Sequence, residues 1–303
     1  MTKQMITILG PTASGKTGLA TALAVELNGE IISADSRQVY RGMNIGTGKD
    51  LSEYSVDGKD IPYHLIDIHE PGYEYNVFEF QKDFHEVYAQ FKNKKTTPIL
   101  CGGTGMYIDA VLKGYKLIAV PRDEPLRASL ELLSHEQLIS RLAKLAKQHN
   151  TSDSSTKDRT IRAIEIAQYY ELHGLEDVAL PPVNTKIFGI HWERGALKKR
   201  ITARLKQRLD EGMIPEVEQL IEQGVSAEKL KYYGLEYKFI VQHLEGDLSF
   251  NDMYQKLNTA IHQFAKRQMT WFRRMEKQGK DITWIDGHLS LEDKVGFVLR
   301  STE

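Results

Sequence analysis

Short apolar runs alternate with amphipathic stretches through the first third of the chain. The stretch Thr17–Leu27 has the spacing of a helix and separates the first two apolar runs. Five runs are short and apolar, and we predict each to be a strand: Met5–Leu9, Glu30–Ala34, Tyr63–Ile68, Pro98–Cys101 and Lys186–Trp192. Strands that alternate with helices are typical of βαβ units in a parallel sheet, whose chemistry collects at the carboxyl ends of the strands.

The middle of the chain has helical periodicity instead. Three stretches share it: Leu126–Leu133, Leu138–Ala146 and Ile161–Tyr170. The polar stretch His149–Lys157 is predicted to be a loop. We interpret residues 121–183 as a helical insertion in a core that is formed by residues 1–120 and 184–303.

From residue 194 onward the pattern is helical throughout. Apolar residues recur every fourth position and predict a core-facing stripe: Leu197, Ile201, Leu205 and Leu209. Arginines follow the same spacing on a neighbouring face: Arg200, Arg204 and Arg208. The C-terminal part is therefore predicted to be a helical region in which apolar and basic faces lie side by side.

Composition narrows the class of protein. A chain of 303 residues can form about two domains of ~150 residues each. No apolar run reaches 18 residues and no basic-then-apolar leader begins the chain, so we expect no membrane segment and a cytoplasmic location. The single cysteine, Cys101, excludes a disulfide framework and a thiolate zinc site. We expect a monomer.

Charge is unevenly distributed although the net charge is only −1. Residues 194–208 hold seven bases and no acid, and residues 262–280 hold six lysines and arginines against Glu276 alone. Two such stretches favour a surface that binds a polyanion. The alternative is a solvated helix surface without a partner.

The strongest motif is the run Gly10-Pro11-Thr12-Ala13-Ser14-Gly15-Lys16-Thr17, which matches G-x-x-x-x-G-K-[ST] between a predicted strand and a predicted helix. Its backbone amides and the helix N-terminus can cradle phosphate oxygens. Lys16 supplies a full charge, and the Thr17 hydroxyl can bind Mg²⁺. The motif alone does not distinguish a nucleoside triphosphate from another diphosphate.

Other candidate residues follow the ends of later strands. Asp35, in Asp35-Ser36-Arg37-Gln38, can act as a base near the phosphates, or it can cap a helix. Thr104 lies in the glycine-rich segment Gly102–Gly105. The glycines allow a close approach of the backbone and Thr104 offers a hydroxyl, but a purely structural strand-to-helix turn explains the segment equally well. Asp67 is either a magnesium-side carboxylate or a cap, and we interpret Gly46–Lys49 as a loop near the site.

In this order the motifs resemble those of the tRNA dimethylallyltransferases, also called tRNA isopentenyltransferases. The resemblance covers about residues 5–275. The matching segments are Gly10–Thr17, Ile32–Tyr40, Met43–Thr47, His64–Asp67, Gly102–Tyr107, Asp158–Glu165 and Ala265–Phe272. The combination is far more specific than a phosphate loop alone.

The resemblance implies a reaction in which the dimethylallyl group of dimethylallyl diphosphate moves to N6 of adenosine 37, next to the anticodon of tRNA. It implies that the phosphate loop binds the donor's diphosphate with Mg²⁺ rather than ATP, so that Lys16 and Thr17 belong to the catalytic set. Asp35 matches the general base. Arg204 matches an arginine that steadies the leaving diphosphate, with Arg200 as the alternative.

The resemblance also implies a tRNA-binding set. Its members are Asp35, Ser36, Arg37, Gln38, Thr104, Arg127, Asp158, Arg159, Thr160, Ile161 and Arg162. The basic C-terminal stretch adds Lys266 and Arg267, which would contact the phosphates of the anticodon stem-loop. The expected fold class is α/β: a P-loop NTPase-like parallel sheet flanked by helices, with a helical insertion domain that contacts tRNA and a helical C-terminal region.

Two segments depart from the family pattern. The loop that usually reads Gly-Thr-Ala-Lys-Pro is Gly46-Thr47-Gly48-Lys49-Asp50 here, and a basic pair that often precedes Ala265 is absent. Two other functions remain open at this point. One is an ATP-dependent P-loop kinase of a small molecule, and the other is a phosphate-loop switch protein that binds nucleic acid without chemistry. The former gives the basic C-terminal half no role, and the latter gives Asp35 none.

Overall fold

A computed structural model describes residues 4–145, 154, 156–174, 180 and 183–302. Its main sheet has six strands: β1 (Met5–Leu9), β2 (Gly29–Ser33), β5 (Tyr63–His64), β6 (Thr97–Gly102), β7 (Thr185–His191) and β8 (Ile282–Asp286). The order is β5-β2-β6-β1-β7-β8, and every neighbouring pair is parallel. A small antiparallel pair, β3 (Ser55–Val56) and β4 (Lys59–Asp60), precedes β5.

Helices cover both faces of the sheet. Those of the sheet-containing unit are α1 (Lys16–Leu27), α2 (Val77–Gln90), α3 (Gly105–Lys113), α7 (Arg194–Asp210), α8 (Met213–Glu222), α9 (Ala227–Tyr233), α10 (Leu235–Leu244), α11 (Phe250–Lys277) and α12 (Leu291–Thr302). Ile6 and Ile8 of β1 pack in the cluster that contains α1 residues, whereas Met5 and Leu9 pack with α11. Strands buried on both faces are continuous apolar runs, which explains their visibility in the sequence.

The chain divides into two compact units, Met1–Gly114 with Pro182–Glu303, and Tyr115–Pro181. The second unit contains α4 (Glu124–Glu131), α5 (His135–Leu145) and α6 (Lys157–His173). These helices have a small core of their own: Leu130, Leu138, Leu142, Ile161 and Ile164. The predicted loop His149–Lys157 lies mostly outside the described residues, and Lys157 begins α6.

The structure differs from the sequence predictions at two strands. The third strand is only Tyr63–His64, because Leu65 and Asp67 have φ values of 63° and 55° and leave the extended conformation. The prediction of helix throughout from residue 194 was wrong at β8, which pairs with β7 at the sheet edge. Whether so short a segment forms a strand depends on its pairing with a distant strand, and the local sequence pattern does not predict that pairing.

None of the helices in the described part of the chain combines the length and the apolarity that crossing a membrane requires.

Candidate active site

The phosphate loop joins β1 to α1 in a tight turn. Ala13 and Gly15 have φ values of 61° and 86°, and the Ser14 amide donates to Pro11 O at 3.3 Å. A positive φ is rare for a residue with a side chain, and it turns successive amides toward one side of the loop. The N-terminus of α1 lies at the same place, so the loop is built as an anion site.

Lys16 begins α1, and its ammonium group is enclosed. Burial lowers the pKa of Lys16, while the negative charges of Asp35 and Asp50 act in the opposite direction. A Cβ on Gly103 would lie 3.6 Å from Lys16 Cε, so the lysine passes directly beside the turn after β6. A partly desolvated ammonium beside two carboxylates is strongly stabilised by an incoming anion.

Asp35 and Thr104 lie in adjoining turns at the carboxyl ends of β2 and β6. The Ser36 amide donates to Thr104 Oγ1 at 3.2 Å, and the Thr104 amide donates to Ala34 O at 3.3 Å. A Cβ on Gly102 would lie 2.2 Å from Ala34 O, so only glycine allows the two turns to approach this closely. The structure therefore brings together the carboxylate and the hydroxyl that sequence motifs 69 residues apart had suggested.

The Asp35 carboxylate is half-buried and does not cap a helix. Its Oδ1 accepts from the Arg37 amide at 2.9 Å, which closes a turn. No hydrogen bond to Oδ2 comes from the residues that the structure describes, which leaves this oxygen for a substrate. The Arg37 guanidinium lies 5.3 Å from the centre of the Tyr232 ring. Gln38 faces inward instead, because it accepts from Ser33 Oγ at 2.9 Å and donates to Gly48 O at 3.0 Å.

The loop Gly46–Lys49 is a structural element rather than a second phosphate loop. The side chain of Lys49 is fully buried and donates to Tyr40 O at 2.5 Å and to Asn44 Oδ1 at 3.0 Å. Its third partner is the Asp67 carboxylate. This ion pair favours a structural role for Asp67 over the magnesium-side alternative.

Glu216 on α8 binds the same loop from outside, and no motif in the sequence marks it. Its carboxylate accepts the backbone amides of Asn44, Ile45 and Gly46 at 2.8, 2.6 and 3.0 Å. The Tyr237 hydroxyl also donates to Glu216, at 2.8 Å. Three amides directed at one carboxylate fix the loop that leads to Asp50.

Three arginines of α7 face the phosphate loop or the residues beside it. Arg200 Nε donates to Ala13 O at 2.8 Å, and its guanidinium stacks on Trp192 at 4.4 Å. Arg204 and Arg208 both pair with the Asp50 carboxylate. A cavity beside the loop is lined by Thr12, Ala13, Ile201, Arg204, Arg208 and Glu236. Both of the arginines left open by sequence register therefore lie near the loop, and only Arg204 of the two lines this cavity.

Gln268 on α11 connects the phosphate loop with the turn after β6. Its Oε1 accepts from the Thr12 amide at 2.9 Å, and its Nε2 donates to Gly103 O at 2.9 Å. The side chain is buried at 7% exposure. Gln268 lies in the family-like segment Ala265–Phe272, but its role could not be predicted because both of its partners are distant in the sequence.

Next to Gln268, the basic face of α11 points outward. Lys266, Arg267 and Arg273 are exposed, and none of them forms a salt bridge with another described residue. The Arg267 guanidinium lies 5.9 Å from the centre of the Phe264 ring. The helix therefore contacts the site through one face and presents unpaired positive charge on another.

Within the insertion, Arg127 is mainly a partner of Glu165. Two hydrogen bonds of 2.8 Å join the guanidinium to the two carboxylate oxygens. The side chain of Arg127 is 12% exposed, and that of Glu165 is 1% exposed. Arg127 thus holds α4 to α6, and a nucleotide contact through it stays a prediction.

The predicted tRNA-binding run on α6 divides into buried and exposed positions. Thr160 and Ile161 are fully buried, so their side chains are not available at the surface, and their part in tRNA binding stays a prediction. Thr160 donates to Thr156 O at 2.9 Å. Asp158, Arg159 and Arg162 lie nearer the surface, and Arg162 donates to Val120 O at 2.7 Å.

The Thr17 hydroxyl is the candidate magnesium ligand of the phosphate loop. No group of three histidine, cysteine or acidic side chains arranged for a metal occurs in the described ranges. Thr17 offers a single hydroxyl at the start of α1. Mg²⁺ commonly takes one or two protein ligands and completes its shell with substrate phosphates and water. These residues fit an ion that arrives with a diphosphate.

Comparison with known families gives two matches along the chain. The model described as IPP transferase matches residues 38–275, and the model described as isopentenyl transferase matches residues 3–59. The chain is 56% identical over 297 residues to a protein of Parabacteroides distasonis named tRNA dimethylallyltransferase 1. That match covers 98% of this chain and 97% of the relative.

Two solved structures are similar to this chain over most of its length. The full-length tRNA isopentenylpyrophosphate transferase of Bacillus halodurans is 31% identical, with a TM-score of 0.71, and the match covers 99% of this chain and 96% of that one. A eukaryotic dimethylallyltransferase acting on tRNA is 22% identical, with a TM-score of 0.74, over 94% of this chain and 74% of the other. At that identity the second match shows the fold alone.

Proposed function

Since this chain belongs to the IPP transferase family and is a tRNA prenyltransferase, we propose that it transfers the dimethylallyl group of dimethylallyl diphosphate to N6 of adenosine 37, next to the anticodon. One observation carries the proposal: the carboxyl ends of β1, β2 and β6 bring a phosphate loop, a carboxylate and a hydroxyl to one place. The relatives do not favour the alternative of a small-molecule kinase.

The phosphate loop binds the diphosphate of the donor in this proposal. The turned amides around Ala13 and Gly15, the start of α1 and the partly buried Lys16 supply the positive field. As the allylic carbon becomes cationic, negative charge grows on the leaving diphosphate, and these fixed groups stabilise that charge. Mg²⁺ held at Thr17 would supply further neutralisation of the leaving group.

Asp35 is the proposed general base. The lone pair of the adenine N6 is delocalised into the ring, so removal of its proton as the new bond forms assists attack. A positioned carboxylate contributes typically ~10²–10⁴-fold to such a step. The turn that the Arg37 amide closes on Oδ1 fixes the carboxylate. Thr104, in the adjoining turn, is proposed to orient the adenine.

The tRNA is held through its backbone in this proposal. Lys266 and Arg267 offer exposed, unpaired charge on α11, which supports phosphate contacts there. Arg159 and Arg162 on the insertion, together with Asp158, are proposed as further contacts. A stacked adenine cannot reach Asp35, so the base must be extruded from the anticodon loop.

Incubation with labelled dimethylallyl diphosphate and unmodified tRNA tests the function, with labelled ATP in a parallel reaction. Label in N6-dimethylallyladenosine after nuclease digestion supports the proposal, whereas phosphate transfer from ATP would favour a kinase. An anticodon stem-loop RNA and the same RNA with guanosine at position 37 test the site of transfer. The proposal requires that the stem-loop with adenosine at position 37 is modified and that the stem-loop with guanosine there is not.

We further propose that the enzyme acts as a monomer on tRNA in the cytoplasm. The single cysteine of the chain, Cys101, is buried and free, so no disulfide within the chain calls for an oxidising compartment. Light scattering at working concentration tests the monomer. A stable dimer would contradict it.

A further inference from the structure

Asp50 forms ion pairs with two arginines beside the phosphate loop. Its carboxylate forms an ion pair with Arg204, and Arg208 Nη2 lies 3.3 Å from Asp50 Oδ1. Arg204 and Arg208 are one helical turn apart on α7 and line the cavity that also contains Thr12 and Ala13 of the phosphate loop. One carboxylate thus binds the two guanidinium groups that face the cavity.

The backbone that leads to Asp50 is anchored. It has a φ of 46°, and the loop before it is fixed by the three amide hydrogen bonds to Glu216. A Cβ on Gly48 would lie 2.0 Å from Arg208 Nη2, so this glycine gives the guanidinium its space. This anchoring limits how far the carboxylate can follow the arginines if they move.

The two arginines differ in freedom. The side chain of Arg208 is 10% exposed, whereas that of Arg204 is 28% exposed. Burial would raise the pKa of Asp50, but the two guanidinium groups lower it overall, so Asp50 is anionic at neutral pH. The charges of Arg204 and Asp50 also both act on Lys16, which places the pair within electrostatic reach of the phosphate site.

We infer that Asp50 is an internal anion that competes with diphosphate for Arg204. Without a donor, Asp50 binds Arg204. When a diphosphate enters, Arg204 turns to it while Arg208 stays with Asp50. The inference rests on the proposed function, in which Arg204 steadies the leaving diphosphate.

Competition of this kind has a use in the reaction. Lys16, the loop amides and the arginines would bind the product diphosphate tightly, because the product carries more negative charge than the donor. A carboxylate that draws Arg204 back weakens product binding. Asp50 is therefore a positioning residue that balances stabilisation of the leaving group against release of the product.

Binding of inorganic diphosphate, with Mg²⁺ and without tRNA, tests the inference by calorimetry. Asp50→Asn keeps a hydrogen-bond acceptor but removes the charge, and we expect diphosphate to bind about tenfold more tightly. Asp210→Asn makes the same charge change at an exposed position at the end of α7, and affinity should not change. In an Arg204→Gln background, Asp50→Asn should no longer tighten binding.

Unchanged or weaker diphosphate binding in Asp50→Asn overturns the inference and makes Asp50 a support for Arg204. Lys16→Ala distinguishes failure of the competition from failure of the proposed donor site. If it abolishes diphosphate binding while Asp50→Asn changes nothing, the phosphate site stands and the competition does not. If neither variant affects binding, the proposed donor site itself fails.

Wild-type protein provides a test that does not depend on how the variant folds. In crystals soaked with inorganic diphosphate, Arg204 should leave Asp50 and contact the anion, with Arg208 still bound to Asp50. A diphosphate bound at the loop with Arg204 still paired to Asp50 would contradict the inference.

Discussion

Two basic helices look alike in sequence and differ in the structure. The arginines of α7 are drawn against the phosphate loop and into ion pairs with Asp50, whereas Lys266 and Arg267 of α11 are exposed and unpaired among the described residues. Partly buried, fixed charges act on one bound group with large energies, because solvent screens them little. Exposed charges act together and weakly, and salt screens them. The comparison separates a chemical region from a docking region.

Lys16→Ala should have the largest effect, because it removes a desolvated charge from the chemical region. We expect turnover to fall by about 10³-fold, near the upper end for loss of one group that stabilises developing charge. Affinity for dimethylallyl diphosphate should fall as well, while affinity for tRNA stays nearly unchanged. Single-turnover rates at varied donor concentration measure the loss of rate and of donor affinity, and filter binding measures the affinity for tRNA. If Lys16→Ala turns over at the wild-type rate with saturating donor, Lys16 does not belong to the site.

Asp35→Asn should cost on the order of 10²-fold or more in turnover, because asparagine keeps the size and the turn but cannot accept the proton. Donor affinity should change much less. Steady-state kinetics with both substrates separates these quantities. If only the KM for tRNA rises and turnover is maintained, Asp35 positions the RNA and the base lies elsewhere.

Glu165→Gln extends the comparison to a buried pair in the insertion. Arg127 would keep its charge but lose its buried carboxylate partner, with only the exposed Asp158 left at 3.3 Å, and we expect a loss of about 3 kcal/mol in the stability of that unit. Urea unfolding followed by hydrogen exchange within residues 124–173 measures it. A loss below about 1 kcal/mol would contradict the structural role of the pair.

The pH dependence of the same pair has a defined sign. Burial would raise the pKa of Glu165, but Arg127 and its other hydrogen-bond partners lower it overall. Because the pKa of Glu165 is lowered by folding, its ionised form stabilises the folded insertion at pH values above the unfolded pKa of about 4.3. This contribution is lost as the pH falls through the folded pKa. Glu165→Gln should remove this part of the acid sensitivity of the insertion.

Lys266→Ala with Arg267→Ala should give the smallest effect. We expect the Kd for tRNA to rise by several-fold and the log–log salt slope to flatten by roughly 0.7–0.9 per lost phosphate contact. The control is Lys92→Ala with Lys95→Ala, two exposed lysines that precede the amino end of β6, whereas the site lies at the carboxyl ends of the strands. An unchanged slope would return α11 to a structural role and move the tRNA contacts toward Arg159 and Arg162.

Features that depend on neighbouring residues were predictable from the sequence. The phosphate loop and the strand before it could be recognised because glycine positions and apolar runs constrain the backbone locally. Asp35 and Thr104 could be placed together because the carboxyl ends of parallel strands share one edge of a sheet. Gln268, Glu216 and the pairing of β8 could not, since each depends on partners more than 90 residues away in the chain.

The sequence by itself determined the fold class, the phosphate loop and the identity of the chemical groups. Only the tertiary structure decided which charges are paired. It assigned Lys49 to Asp67, Arg127 to Glu165, and Arg204 with Arg208 to Asp50. The physical reason is that a charge acts through its distance to other charges and its exposure to water, and both are set by contacts between segments that are distant in the chain.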